Sequence, residues 1–143
     1  MGNEQSAITV KLINKKLQFT GTAGSNAPVT IDYVPPLGDG QCYMSLELLL
    51  ISLASCCGST VASLLRRMKK DVSGMVIEAQ GVRRDQHPTS FRKIMLEFVI
   101  NSQDAVDADV QSAIKLSEDT FCPVWAMLKN NVEVATEFKI ITG

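Results

Sequence analysis

Four cysteines, Cys42, Cys56, Cys57 and Cys122, are the residues of this 143-residue chain with the widest chemical reach. No two of them have the Cys-x-x-Cys spacing of a zinc site and His87 is the single histidine, so no metal centre or metal cofactor is expected. No apolar run reaches the ~18 uninterrupted residues of a membrane span, and MGNEQSAITV lacks the basic and apolar regions of a secretory leader. A cytoplasmic protein is expected, in a compartment that keeps thiols reduced. Each cysteine is then either inert packing or a reactive thiol, not half of a structural disulfide. A net charge of -1, with 20% charged and 45% hydrophobic residues, argues against disorder and against nucleic acid as a partner.

The two adjacent thiols separate on a helical projection. The segment LELLLISLASCCGSTVASLLRRMKK, within 45–70, has no proline, is rich in Leu and Ala, and closes on basic residues that suit a helix C-terminus. At about 100° per residue, Ser45, Ser52, Ser59, Thr60 and Ser63 fall within roughly 60° of Cys56, giving a hydroxyl-rich seam. Cys57 falls among Leu46, Leu50, Leu53, Val61 and Leu64, where a cysteine is usually a small buried hydrophobe. For Cys56 two readings stay open: a reactive thiol, or a close helix contact in which serines bond back to the backbone. Pro123 suits the first position of a helix and makes Cys122 its N-cap, where free amides and the helix dipole favour a thiolate. Phe121-Cys122-Pro123-Val124-Trp125 reads equally well as an apolar corner.

Reaction with a peroxide sets further requirements. A thiol of ordinary pKa, ~8.5, is only a few per cent ionised at neutral pH, so Cys56 needs a cation or donor brought by the fold. The sulfenic acid it forms must be captured by a second thiol before further oxidation. Cys122 is the one cysteine outside the helix and its preceding loop.

The elements that must position these thiols can be read in turn. Ile8 to Leu12, Leu17 to Phe19 and Val29 to Tyr33 read as short strands within 1–34, followed by a loop with Pro35, Pro36, Gly38 and Gly40. After the 45–70 helix, 72–143 reads as a hairpin (75–84 and 91–101), a helix over 104–119, a short helix over 123–129 and a last strand with Val132, Val134, Thr136, Phe138 and Ile140 on one face. Grouped strands and helices of this kind predict one α+β domain over 1–143, with antiparallel sheets packed on a long central helix.

SLELLLISLASCCGSTVASLLRRM resembles the first cysteine motif of the OsmC/Ohr family, Pro-x-Glu-Leu-Leu-Leu-x-x-Leu-x-x-Cys, with the register falling on Cys56. Phe121-Cys122-Pro123-Val124 is similar to the second motif, a Cys-Pro-Val-like step that opens a short helix, and the strand order also matches. The resemblance implies an OsmC-like fold, an intertwined homodimer, and a cytoplasmic antioxidant peroxidase of the oxidative stress response. It implies reduction of organic hydroperoxides or hydrogen peroxide, with Cys56 peroxidatic, Cys122 resolving and an external dithiol, of lipoyl type in some members, as reductant. No bound cofactor is implied.

Three positions depart from the family pattern. Peroxidatic members carry an arginine in the N-terminal region, whereas the first arginine here is Arg66; Lys15, Lys16, Arg83, Arg84 or Arg92 are the substitutes to consider. Ser45 stands where proline is usual, and Cys57 is an added thiol. Glu47 matches the motif's glutamate, and two readings of it stay open: a carboxylate that orients the activating cation, or an acid favoured in the first turn of a helix. The missing arginine also motivates a rival function, a non-catalytic dimer that binds a hydrophobic small molecule or senses redox state.

Overall fold

The computed structural model describes residues 5–143; Met1–Glu4, the start of the segment read above for a leader, lie outside them. The chain divides into two compact units, one ending at Leu49 and one spanning Leu50–Gly143.

In the first unit β1 (Thr9–Leu12), β2 (Phe19–Thr22) and β3 (Val29–Ile31) form an antiparallel sheet in that order. The β1–β2 connection turns on Asn14, whose Oδ1 accepts the backbone N–H groups of Lys16 and Gln18, both at 3.0 Å. The proline- and glycine-containing loop after β3 is organised by Asp32, which is buried. Its carboxylate accepts the Tyr33 N–H at 2.7 Å, the Asp39 N–H at 3.3 Å and the Gln41 N–H at 3.4 Å. Burial alone would raise the Asp32 pKa, but the amides of Tyr33, Gln41 and Asp39 outweigh it and hold the carboxyl below its usual range. The apolar side chains of β1 are poorly covered: Val10 and Leu12 are both more than half exposed.

Helix α1 (Ser45–Arg67) is the element the two units share. It stops three residues before the expected end because Lys69 adopts a left-handed φ of 66° and the Lys70 N–H closes back on the Leu65 carbonyl at 3.0 Å. By length and composition α1 is apolar enough to cross a bilayer, which the search for an uninterrupted run did not register. Much of that apolarity is spent inside the fold, where Leu53, Cys57, Val61 and Leu65 are fully buried.

The second unit holds β4 (Gly74–Arg83) and β5 (Phe91–Asn101) as an antiparallel hairpin, with β6 (Glu133–Ile141) on the far side of β5. The expected alternation is met in β5, where Ile94, Leu96, Phe98 and Ile100 all face the core with no exposure. One pairing differs from the wholly antiparallel sheets expected: β6 runs parallel to β5, with Ile94 opposite Val134 and Ile100 opposite Ile140. The physical reason is the crossover between them, which contains α2 (Asp107–Leu116), a π-helical turn (Ser117–Phe121) and α3 (Pro123–Leu128) and returns the chain to the starting end of β5. The single helix expected over 104–119 is thus an α-helix that passes into a π turn.

Helix α1 approaches β4 closely at Gly58, where a Cβ would stand 2.6 Å from Ile77 Cδ1. Glycine beside Cys57 therefore lets the cysteine-bearing face of the helix settle on the sheet.

Candidate active site

The three cysteines of the second unit gather where α1 meets the start of α3. The projection of α1 is met on both faces: Cys57 is buried with Leu53, Val61 and Leu64, whereas Cys56 is half-buried on the side that carries Ser52, Ser59 and Ser63, all exposed. Thr60 Oγ1 donates to the Cys56 carbonyl at 2.9 Å, the backbonding expected of a seam hydroxyl.

Cys122 is the N-cap of α3, with extended backbone (φ -87°, ψ 105°) and Pro123 at the first helical position. Its N–H donates to the Ser117 carbonyl at 2.9 Å, the five-residue bond that closes the π turn and sets the sulfur at the helix start. The Trp125 N–H donates to Cys122 Sγ at 3.4 Å. The Val124 amide and Cys122 both stand close enough to Cys56 to bear on its ionisation.

Cys122 also touches the other thiol. Its Sγ is 3.6 Å from Cys57 Sγ, a contact the projection did not anticipate because α1 periodicity says nothing about what stands opposite a buried face. Burial, followed by the proximity of Cys122, pushes the Cys57 thiol far above its ordinary pKa. For Cys56 burial again leads, Cys122 adds to it, and the Val124 amide opposes; the net shift is upward. Ser117 is fully buried, and its hydroxyl has no hydrogen-bond partner among the described residues.

Two of the candidate cations are already engaged. Lys16 Nζ is paired with Asp39 at 2.7 Å in the first unit, and Arg83 Nε donates to the Thr89 carbonyl at 2.6 Å within the hairpin turn. Lys15, Arg84 and Arg92 are exposed. An arginine the sequence reading passed over, Arg67, lines a cavity of about 240 Å³ with Ser59, Thr60, Ser63, Leu64 and Phe121. Its signal was present, since eleven residues beyond Cys56 returns to within about 20° of the same helix face, although about 16 Å along the axis. Arg67 therefore closes the far end of the seam and does not activate the thiol. Glu47 lies in the first turn of α1, where its Oε1 accepts the Met44 N–H at 2.8 Å, the reach-back of a helix cap. It also lines a cavity of about 570 Å³ in the first unit with Pro28, Val29, Thr30, Cys42 and Tyr43. Among the described residues no three His, Cys, Asp or Glu side chains are grouped to hold a metal ion.

The family model for OsmC-like proteins matches residues 38–137, a span that contains α1, both thiol motifs and most of β6. The chain belongs to the OsmC-like family. Protein YhfA of Escherichia coli K12 is 27% identical to it over 127 residues, covering 89% of this chain and 92% of YhfA. An OsmC-like protein from Mycoplasma pneumoniae has the same fold, with a TM-score of 0.81 at 18% identity, over 97% of this chain and 99% of the other. The organic hydroperoxide resistance protein OhrB of Bacillus subtilis superposes with a TM-score of 0.65 at 20% identity, over 95% and 98% of the two chains. At 18% and 20% identity these two structures share the fold of this chain.

Proposed function

We propose that this OsmC-like protein is a cysteine-based hydroperoxide reductase in which Cys56 attacks the peroxide and Cys122 resolves the product. The observation that carries this reading is the start of α3, where the Trp125 N–H donates to Cys122 Sγ and where the Val124 amide and Cys122 both bear on the Cys56 thiol. Cys56 is the half-buried member and Cys122 is 2% exposed, so a substrate entering from solvent meets Cys56 first. The Cys56 thiolate attacks one peroxide oxygen, the O–O bond breaks, an alcohol leaves after taking a proton, and the sulfur becomes a sulfenic acid. The Cys122 thiolate then attacks that sulfur, water leaves, and a Cys56–Cys122 disulfide remains for an external dithiol to reduce.

No cation stands in for the family's N-terminal arginine in this reading. The Val124 N–H is the donor that holds charge on Cys56, and Glu47 serves as the cap of α1, with its second oxygen left to orient a cation brought by a substrate or a second subunit. The protein acts as a homodimer, supported by the uncovered apolar side chains of β1. A second reading, binding of a hydrophobic small molecule without catalysis, is favoured by the 570 Å³ cavity of the first unit.

Stopped-flow oxidation with cumene hydroperoxide separates the two. Cys56→Ser is expected to abolish consumption, and Cys122→Ser to permit one turnover followed by overoxidation of Cys56. Full consumption by Cys56→Ser rejects the catalytic reading.

A further inference from the structure

The sulfur in closest measured contact with Cys122 belongs to Cys57, which the peroxidatic cycle leaves idle. We propose that Cys57 is a second disulfide partner of Cys122, so that oxidation passes from a Cys56–Cys122 bridge to a buried Cys57–Cys122 bridge and returns Cys56 to its thiol. The relay rests on the reading of Cys56 and Cys122 as peroxidatic and resolving thiols.

The geometry is that of thiol–disulfide exchange before bond formation. Cys57 Sγ stands 3.6 Å from Cys122 Sγ, and closing to a disulfide requires a shortening of about 1.5 Å. Cys56 and Cys57 are consecutive on one helix and both address the same residue at the start of α3, so Cys122 changes partner without any element exchanging places. In the step, Cys57 Sγ attacks Cys122 Sγ; the Sγ57–Sγ122 bond forms as the Sγ56–Sγ122 bond breaks. The proton of the Cys57 thiol ends on the Cys56 sulfur. One disulfide is lost and one is made, and no further oxidant or reductant enters.

A difference in exposure supports this direction. Cys56 is half-buried and Cys57 has no exposure, so Cys56 gives the better-solvated thiolate and is the better leaving group. The product disulfide lies in the core, out of reach of a reductant that meets Cys56 at the surface. The protein then keeps a record of one oxidation while Cys56 is free to meet a second hydroperoxide.

The test uses diamide, a two-electron thiol oxidant, so that it does not depend on peroxide chemistry. Wild type is oxidised with one equivalent, quenched with an alkylating agent at increasing times, and its bridges are mapped by mass spectrometry. Expected is a Cys56–Cys122 bridge that gives way to Cys57–Cys122 while Cys56 becomes alkylated. Cys56→Ser, with its fold checked by circular dichroism, is expected to form Cys57–Cys122 directly. A wild-type bridge that stays on Cys56, or a folded Cys56→Ser variant in which Cys57 and Cys122 both remain free, overturns the relay. Hydroperoxide consumption is measured separately: its absence alongside a migrating bridge would reject the proposed peroxidase and leave the Cys57–Cys122 exchange standing.

Discussion

At the scale of single residues, the site shows how one step along a helix separates two identical side chains. A rotation of about 100° puts Cys56 at the edge of solvent and Cys57 in the core, and their ionisation follows their surroundings. Both thiols are shifted upward, Cys56 with the Val124 amide opposing. Because the thiolate is the nucleophile, kcat/KM for a hydroperoxide is expected to rise about tenfold per pH unit through neutrality and to level off only above the ordinary thiol range, ~8.5. A plateau reached by pH 7, in a rate profile measured across pH 5.5–9.5, would contradict that assignment. Much of this was legible: the helical period of α1 predicts which thiol is buried, and Pro123 predicts the N-cap. The contact of Cys57 with Cys122 was not, since a projection sorts residues into faces but does not say which distant residue each face meets. Glu47 shows the same division, for its type and place predict a first-turn acid, while the Met44 N–H it accepts emerges only in three dimensions.

At the scale of elements, strands with one strict period were readable and connections were not. In β5 the period-two spacing of Ile94, Leu96, Phe98 and Ile100 predicts the buried face, while Phe91 is buried out of that period beside the register shift at Val82/Arg83. The direction of β6 is decided by the length and path of the crossover through α2 and α3, and strand periodicity is the same for parallel and antiparallel neighbours. The π turn escapes a helical reading because one extra residue in a turn leaves the flanking apolar spacing almost intact. The hairpin offers a direct test of packing. A Cβ at Gly81 would collide with the ring of Phe91, which is buried against the glycine on the neighbouring strand. Gly81→Ala is expected to destabilise the protein by about 1–3 kcal/mol through overpacking, read from the midpoint of urea denaturation. Unchanged stability would show that the ring has room to move.

At the scale of the whole molecule, the distribution of apolar surface argues for a partner copy. Val10 and Leu12 of β1 are exposed by 51% and 54%, and among the described residues of the first unit no hydrophobic residue is buried. A surface of that kind on a free monomer is an aggregation hazard, and a second subunit is the economical cover. Sedimentation equilibrium is expected to give twice the chain mass, and Val10→Asp to shift the distribution toward monomer; a wild-type monomer at tens of micromolar would refute the assembly. The fold class was legible at this scale because grouped strands and helices announce α+β, whereas association depends on exposure, which no linear pattern reports.

The buried carboxylate of Asp32 has a consequence for the first unit's cavity. Its amide partners belong to Tyr33, Asp39 and Gln41, and Gln41 is followed directly by Cys42 and Tyr43 in the cavity wall. One side of that chamber is therefore moulded around an anion that does not itself line it. Since the folded carboxyl titrates below its unfolded value, the stability it contributes is fully present above the ordinary carboxylate range and is lost as pH falls through the lowered folded value. The chamber's contour is thus fixed throughout neutral and mildly acidic conditions, and strong acid would loosen it by way of a carboxyl that lies outside its lining.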